Sequence, residues 1–330
     1  MSHFLNTGSM PTRRGALGRI AAASLAAGVP GLHAQQPAAT ADWPKKPIQM
    51  LVGFPPGGLN DLAARALSQS MGKTLGTTFI VVPLQGAGGV IALQKLLQAP
   101  ADGYTLLYTP SPTLLARPYQ MSLRISHRDL TPIANVATSY PTISVKKAHR
   151  WQSFKDFQAE ALANPGKIAY STPGVGGLPH IAMENVAAQL GMKLNHVPFQ
   201  GMPQATLAAL SDQLDIAVGD MPHPDLRPLA VTGDERVPFW PGVPAMRELG
   251  VSSTMVARFS VVGPKGLPDA IVKAAATACQ ASLTDPIFQK YMRDNLLQPT
   301  YWGPAELAAS WNAEEPLYRG LIDRLDLKGK

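Results

Sequence analysis

The sequence predicts an α/β protein built as two units with a cleft between them, and three observations predict it. Apolar runs of strand length alternate with helical patterns along most of the chain. Several of those runs end in glycine-rich turns that open a helix. The length of 330 residues and the hydrophobic content of 45% supply enough apolar side chains for about two buried cores. Charged residues make up only 15% of the chain, beside 31 prolines and 29 glycines, which is the composition of a folded protein with many ordered turns.

Residues 1–34 read as an export signal. Arg13, Arg14 and Arg19 form its basic start, 20–29 is its apolar run, and Leu32-His33-Ala34 is its cleavage site. The run is shorter than the roughly 20 residues of an ordinary membrane span. Thr12-Arg13-Arg14 matches a twin-arginine signal in part, with Ala16 and Gly18 where that pattern carries an aromatic residue and a lysine. Twin-arginine and general secretory export therefore both remain open, as do Met1 and Met10 as the start. The expectation is a soluble, periplasmic mature chain. Of the net charge of +7, three units come from these arginines, with no acid beside them. The remaining chain has no basic run with interleaved aromatics, so nucleic acid is not an expected partner.

PIQMLVGF (47–54) is the first strand, and 61–75 the first helix. FIVVP (79–83) is a second strand, followed by a glycine-rich turn and helix at 86–99, and by the strand YTLLYT (104–109). A proline-rich stretch at 110–141 carries no predicted element. TISVKK (142–147) is a strand, and 153–164 a helix capped by Ser153. KIAYST (167–172) leads through PGVGGLPH into a helix at 180–190. Strands at 195–199, 214–220 and 226–233 follow, with a helix at 204–212 before the second of them. ARFSVVGP (257–264) is apolar again, and the rest predicts helices only. Alternation of this kind implies parallel strands with crossover helices. It places the joins near 141 and 256, giving one domain from 43–141 plus 257–330 and another from 142–256.

The stretch GFPPGGLNDLAARAL (53–67) shows what the turns can do. Pro55 and Pro56 stiffen the approach, while Gly57 and Gly58 allow tight turns and close backbone approach. Asn60 or Asp61 can cap the helix, and its remaining N–H groups form an anion site. STPGVGGLPH (171–180) repeats the design, with hydroxyls at Ser171 and Thr172 and exposed N–H groups at Gly174, Gly176 and Gly177. Thr109, Ser111 and Thr113 offer three hydroxyls at another strand end. Two such helix starts across a cleft suit a small organic acid. A β-branched residue at Gly57 or Gly176 is then expected to block the ligand and leave the fold intact. Asp61 has two readings: an i, i+4 pair with Arg65, or a group that reaches the ligand's waters.

FPPGGLNDLAAR (54–65), GAGGVIA (86–92), ADGYTLLYT (101–109), NPGKIAYSTPGVGGLPHIA (164–182), HVPFQG (196–201) and LAVTGDERVPFWPGVPAMRELG (229–250) occur in this order. With them the chain resembles the periplasmic substrate-binding receptors of tripartite tricarboxylate transporters, the Bug-type receptors, over nearly its whole mature length. The resemblance implies a two-domain periplasmic-binding-protein fold, a Venus flytrap of type II, with a carboxylate in the cleft. It implies ligand contacts from Phe54 to Asp61, from Thr109, Ser111 and Thr113, and from Ser171 to His180. Gln200, Gly201 and Asp220 match further positions of the same pattern. Pro83, Leu84 and Gln85 depart from it, and the segment after Asp220 is shorter by roughly two helical turns. The implied partners are a small carboxylate or a related amide or aromatic acid, and either a membrane transporter or a membrane sensor that reads the closed form. The receptor is expected to act as a monomer, without a cofactor.

The same residues also admit an enzyme reading. Ser171, His180 and Asp220 can be drawn as a hydrolase triad, but no G-x-S-x-G elbow supports it, and His180 serves better as a helix cap or ligand donor. His127, His149, His196 and His223 are scattered, with no metal-ligand spacing. Cys279, the single cysteine, sits in a helical apolar pattern and reads as a small core residue. Trp302 and Trp311 read as packing residues.

Overall fold

In a computed structural model, which describes residues 43–220, 223–252 and 255–329, the chain begins with strand β1 (Ile48–Val52), helix α1 (Leu59–Leu75) and strand β2 (Phe79–Pro83). A short turn of 3₁₀ helix (Ala87–Gly89) precedes α2 (Val90–Leu97), and β3 (Thr105–Pro110), α3 (Ser111–Leu115), α4 (Arg117–Gln120) and β4 (Leu130–Ser139) follow. Next come β5 (Thr142–Lys146), α5 (Phe154–Ala163), β6 (Ala169–Thr172), α6 (Leu178–Gln189), β7 (Asn195–Pro198), α7 (Met202–Leu210), β8 (Ile216–Gly219) and β9 (Leu226–Val231). The chain closes with β10 (Ala257–Pro264), α8 (Asp269–Ser282), α9 (Pro286–Asp294), β11 (Gln298–Trp302) and α10 (Pro304–Arg324). The export signal expected over 1–34 lies outside the described residues.

The strands form two sheets, ordered β11-β4-β10-β3-β1-β2 and β7-β6-β8-β5-β9. The chain leaves the six-stranded sheet between Ser139 and Thr142 and returns to it at Ala257. Both sheets are mixed. β1 is parallel to β2 and β3, and β6 to β7 and β8, but β10 runs antiparallel to β3 and β4, β11 to β4, and β5 to β8 and β9. The strand–helix alternation thus describes β1–β3 and β6–β8, and the expectation of parallel pairing fails at the strands beside each crossing.

β4 lies inside the proline-rich stretch where no element is predicted. It accommodates Pro132 because the ladder with β10 shifts register there: Val262 pairs with Pro132 and Val261 with Ala134. A bulge is one of the few places where a strand tolerates a residue without an N–H. β11, also unpredicted, carries Pro299 at the edge of its sheet, where a missing donor leaves no central ladder bond unmade.

Helix starts follow local chemistry. Ser153 caps α5 in a reciprocal box with Asp156. The start of α1 is different: Gly58 is its N-cap, with no side-chain bond to the first turn, so neither Asn60 nor Asp61 caps it. One core surrounds the six-stranded sheet and includes Tyr108, Phe288, Trp311 and Tyr318; a second surrounds the five-stranded sheet and includes Phe154, Phe157 and Tyr170. α6 enters both. Leu178, Ile181 and Ala182 pack into the first core, and Met183, Val186 and Ala187 into the second. Cys279 is fully buried in the first core, where burial pushes its thiol pKa up.

Candidate ligand site

Three loops leave the carboxyl ends of β1, β2 and β3 and pack on one another. A methyl group built on Gly53 would lie 2.4 Å from the Gly89 Cα, so the two backbones touch. One built on Gly89 would lie 2.9 Å from Thr113 Oγ1 and 3.4 Å from the Phe54 ring. The Thr113 hydroxyl donates to the Gly88 carbonyl at 2.8 Å. The glycines here permit close approach of chain to chain, a requirement the sequence read as approach to a ligand.

Within the first loop, Gly57 has φ +75°, and its N–H donates to Asp61 Oδ2 at 2.9 Å. The Gly58 N–H donates to the Pro55 carbonyl. Asp61 is 1% exposed and accepts two further bonds from Arg65, at 2.9 and 3.0 Å; these hold its carboxyl below the usual range. Of its two readings, the structure therefore carries the pair with Arg65. The N–H groups of Gly57 and Gly58 are thus engaged within the loop and build it. What remains at this end are the first-turn amides of α1 and Asn60 Oδ1, which is buried with no partner among the described residues.

The strand-end hydroxyls divide in the same way. Thr113 is engaged as described, and Ser111 accepts from the Arg258 N–H at 3.2 Å. Thr109, 1% exposed, keeps a buried hydroxyl without a partner among the described residues.

On the five-stranded sheet, the Ser171 hydroxyl lies 2.8 Å from the Ala205 carbonyl and 3.1 Å from that of Ile216, fully buried. It fixes the sheet to α7 and is not presented to a ligand. Thr172 Oγ1 contacts His196 Nε2 at 2.7 Å and donates to the Gly174 carbonyl, while the Gly174 N–H approaches the same hydroxyl. Gly176 has φ +69°, and its N–H donates to His180 Nδ1 at 3.0 Å. The His180 and His196 rings stack with centroids 3.8 Å apart. Burial pushes both imidazoles down to about 4, and for His196 the neighbouring His180 adds to the effect, so both are neutral at pH 7. Gly177 is the N-cap of α6.

Ser171, His180 and Asp220 do not assemble as a triad. Among the described residues no bond joins Ser171 to His180, and Asp220 instead accepts from Ser139 at 3.3 Å, beside the crossing between the sheets. Burial raises the Asp220 carboxyl. Gln200 is exposed, and its main-chain N–H donates to Gln204 Oε1, while Gly201 is the N-cap of α7 with φ +111°. Gly57 and Gly176 also correct the expectation that their substitution spares the fold. Both have positive φ, and a methyl on Gly176 would lie 2.7 Å from Gln120 Nε2.

Sequence reasoning missed the residues that join the two halves. Gln120, fully buried on α4, donates to the Gly176 carbonyl at 2.9 Å. Arg117, one turn earlier, donates from Nη1 to Gln120 Oε1 at 3.1 Å. A methyl on Gly88 would lie 2.6 Å from its Nε, and one on Gly176 would lie 3.9 Å from its Nη1. The guanidinium thus stands between the loop after β2 and the loop after β6. The available signal was its spacing, four residues beyond Thr113. Among the described residues, no group of three His, Cys, Asp or Glu side chains is arranged to hold a metal ion.

A family model, the tripartite tricarboxylate transporter family receptor, matches residues 63–319. A Cupriavidus necator protein of the UPF0065 group is 30% identical over 93% of this chain and 95% of its own length, and protein BugT of Bordetella pertussis is 30% identical over 72% and 76%. A TctC solute-binding protein from Polaromonas, solved without ligand, superposes with a TM-score of 0.78 at 24% identity, covering 86% of this chain and all of that one. Two Rhodopseudomonas palustris proteins also share the fold. One, solved with adipate, has a TM-score of 0.70 at 24% identity over 86% of this chain and 98% of its own. The other, solved with malate, has a TM-score of 0.67 at 21% identity over 85% and 100%. The two mixed sheets are those of a two-domain α/β periplasmic binding protein.

Proposed function

The chain belongs to the tripartite tricarboxylate transporter receptor family, a family of solute-binding receptors, and from that premise we propose that it captures a small organic acid in the periplasm and delivers it to a membrane transporter of that type. The ligand lies between a lobe of residues 43–141 with 257–330 and a lobe of residues 142–256. The observation that carries the reading is a pair of orphaned polar atoms among the described residues: Asn60 Oδ1, in the first turn of the helix after β1, and Thr109 Oγ1, near the carboxyl end of the adjacent strand β3. Buried polar atoms are normally satisfied, so these two call for a partner that the described residues do not supply. A ligand or its bound water fills that role. The first-turn amides of α1 and α6 add donors suited to a carboxylate, and Gln200, Gly201 and Asp220 complete the second lobe's side. Two relatives of the same fold, solved with adipate and with malate, support a carboxylate as the class.

Native mass spectrometry of the mature chain, taken from the periplasm without refolding, tests this. A retained organic acid supports it. An empty protein whose melting temperature is unmoved by mono-, di- and tricarboxylates refutes it.

A further inference from the structure

Three arginines of the described chain are neither exposed nor fully buried: Arg117, Arg227 and Arg258. Arg258 pairs with Glu314 at 2.6 Å. Arg227 donates to Gln152 Oε1 and to the carbonyls of His149 and Trp151. Arg117 has one amide oxygen, Gln120 Oε1, and no carboxylate among the described residues. A guanidinium carries five N–H donors and cannot discharge itself by losing a proton. Leaving it partly desolvated without a counter-charge is unfavourable. Its surroundings nevertheless hold it in place. Gly88 is bare where Nε passes, and Gln120 fixes Nη1 while itself donating to Gly176.

We propose that Arg117 is a specificity-determining residue: it forms a direct ion pair with one carboxylate of the ligand and so restricts the receptor to anions. This rests on the receptor reading above and sharpens it, because an organic acid and its neutral amide differ at this one contact. With Nη1 bonded to Gln120, the remaining N–H donors of the guanidinium can meet the two oxygens of a carboxylate, a geometry that lysine's ammonium cannot reproduce. The position between the loops of the two halves also makes the ion pair dependent on their approach.

Calorimetry on the refolding-free mature chain tests the proposal with adipate, malate, benzoate and nicotinate, each beside its amide. The wild-type chain should bind at least one acid, and bind its amide at least about thirty-fold more weakly, the loss expected when one partner of a desolvated charge pair is removed. Arg117→Gln should lose the preference by weakening the acid and sparing the amide. Arg117→Lys should keep a preference reduced by roughly ten-fold, for want of the bidentate contact. The acid–amide comparison in the wild-type chain needs no variant, so a variant that fails to fold does not stop the test. Equal binding of acid and amide by the wild type, or unchanged acid affinity in a folded Arg117→Gln, overturns the role of Arg117 and leaves the receptor reading intact. A wild-type chain that retains no organic acid and binds no member of the panel overturns both; a retained acid outside the panel enters the same comparison beside its amide.

Discussion

Acidification from pH 7 to pH 5 should destabilise the mature chain through His180, and the structure sets the size of the effect. The imidazole is 7% exposed, and burial pushes its pKa to about 4 from the ordinary 6.5. Its Nδ1 accepts the Gly176 N–H, so the folded chain needs the neutral ring. Well above pH 6.5 the ring is neutral in both states and contributes no pH dependence. Below it, the unfolded chain takes up a proton that the folded chain refuses until about pH 4, so stability falls across that window. At pH 5 the loss from His180 alone is about 2 kcal/mol. His196 and His149, both shifted down, act in the same direction, whereas Asp220, shifted up, opposes them near the bottom of the window. Glu160 and Glu248, held at about 2, matter only at lower pH. Urea unfolding followed by tryptophan fluorescence between pH 7.5 and 4.5 measures the curve. His180→Asn keeps an acceptor where Nδ1 stood and removes the titration, so it should lose about 2 kcal/mol less than wild type between pH 7 and pH 5. Parallel curves for the two proteins would refute the argument.

Other perturbations separate the roles of the loop residues. Gly57→Ala, with open space around the added methyl, should cost only the left-handed backbone, about 1 kcal/mol, whereas Gly176→Ala should cost more because its methyl meets Gln120; urea midpoints compare them. Gln120→Ala removes the donor to the buried Gly176 carbonyl and should destabilise by about 1–3 kcal/mol, read in the same assay. Cys279 should resist a thiol reagent in the native chain and react at once in denaturant; rapid native labelling would contradict its burial.

Much of the architecture is legible in the sequence because β1–β3 and β6–β8 are local patterns: an apolar run, a turn, a helix. β4 and β11 are not, because a proline in each argues against a strand unless the bulge at Pro132 or the sheet edge at Pro299 is known. The glycine loops were locatable for the same local reason. Which N–H groups they leave available was not, since Asp61 and His180 each fold back onto an amide four residues earlier and change what the loop presents. Arg117 was illegible for a different cause. A lone charge becomes visible only after tertiary structure has assigned every other partner, as with Glu314 to Arg258.

Helix α6 follows the glycine-rich loop after β6, and its twelve residues make a rod about 18 Å long. At its far end, Gln189 accepts from both the N–H and the hydroxyl of Ser252, just before the chain returns to the six-stranded sheet. Swinging the two sheets apart would draw Leu178 and Ile181 from the first core, and side chains of that size favour burial by about 1.5–3 kcal/mol each. The rod therefore ties the loop at Gly176 to the point where the chain passes between the sheets, through the bonds of Gln189 to Ser252.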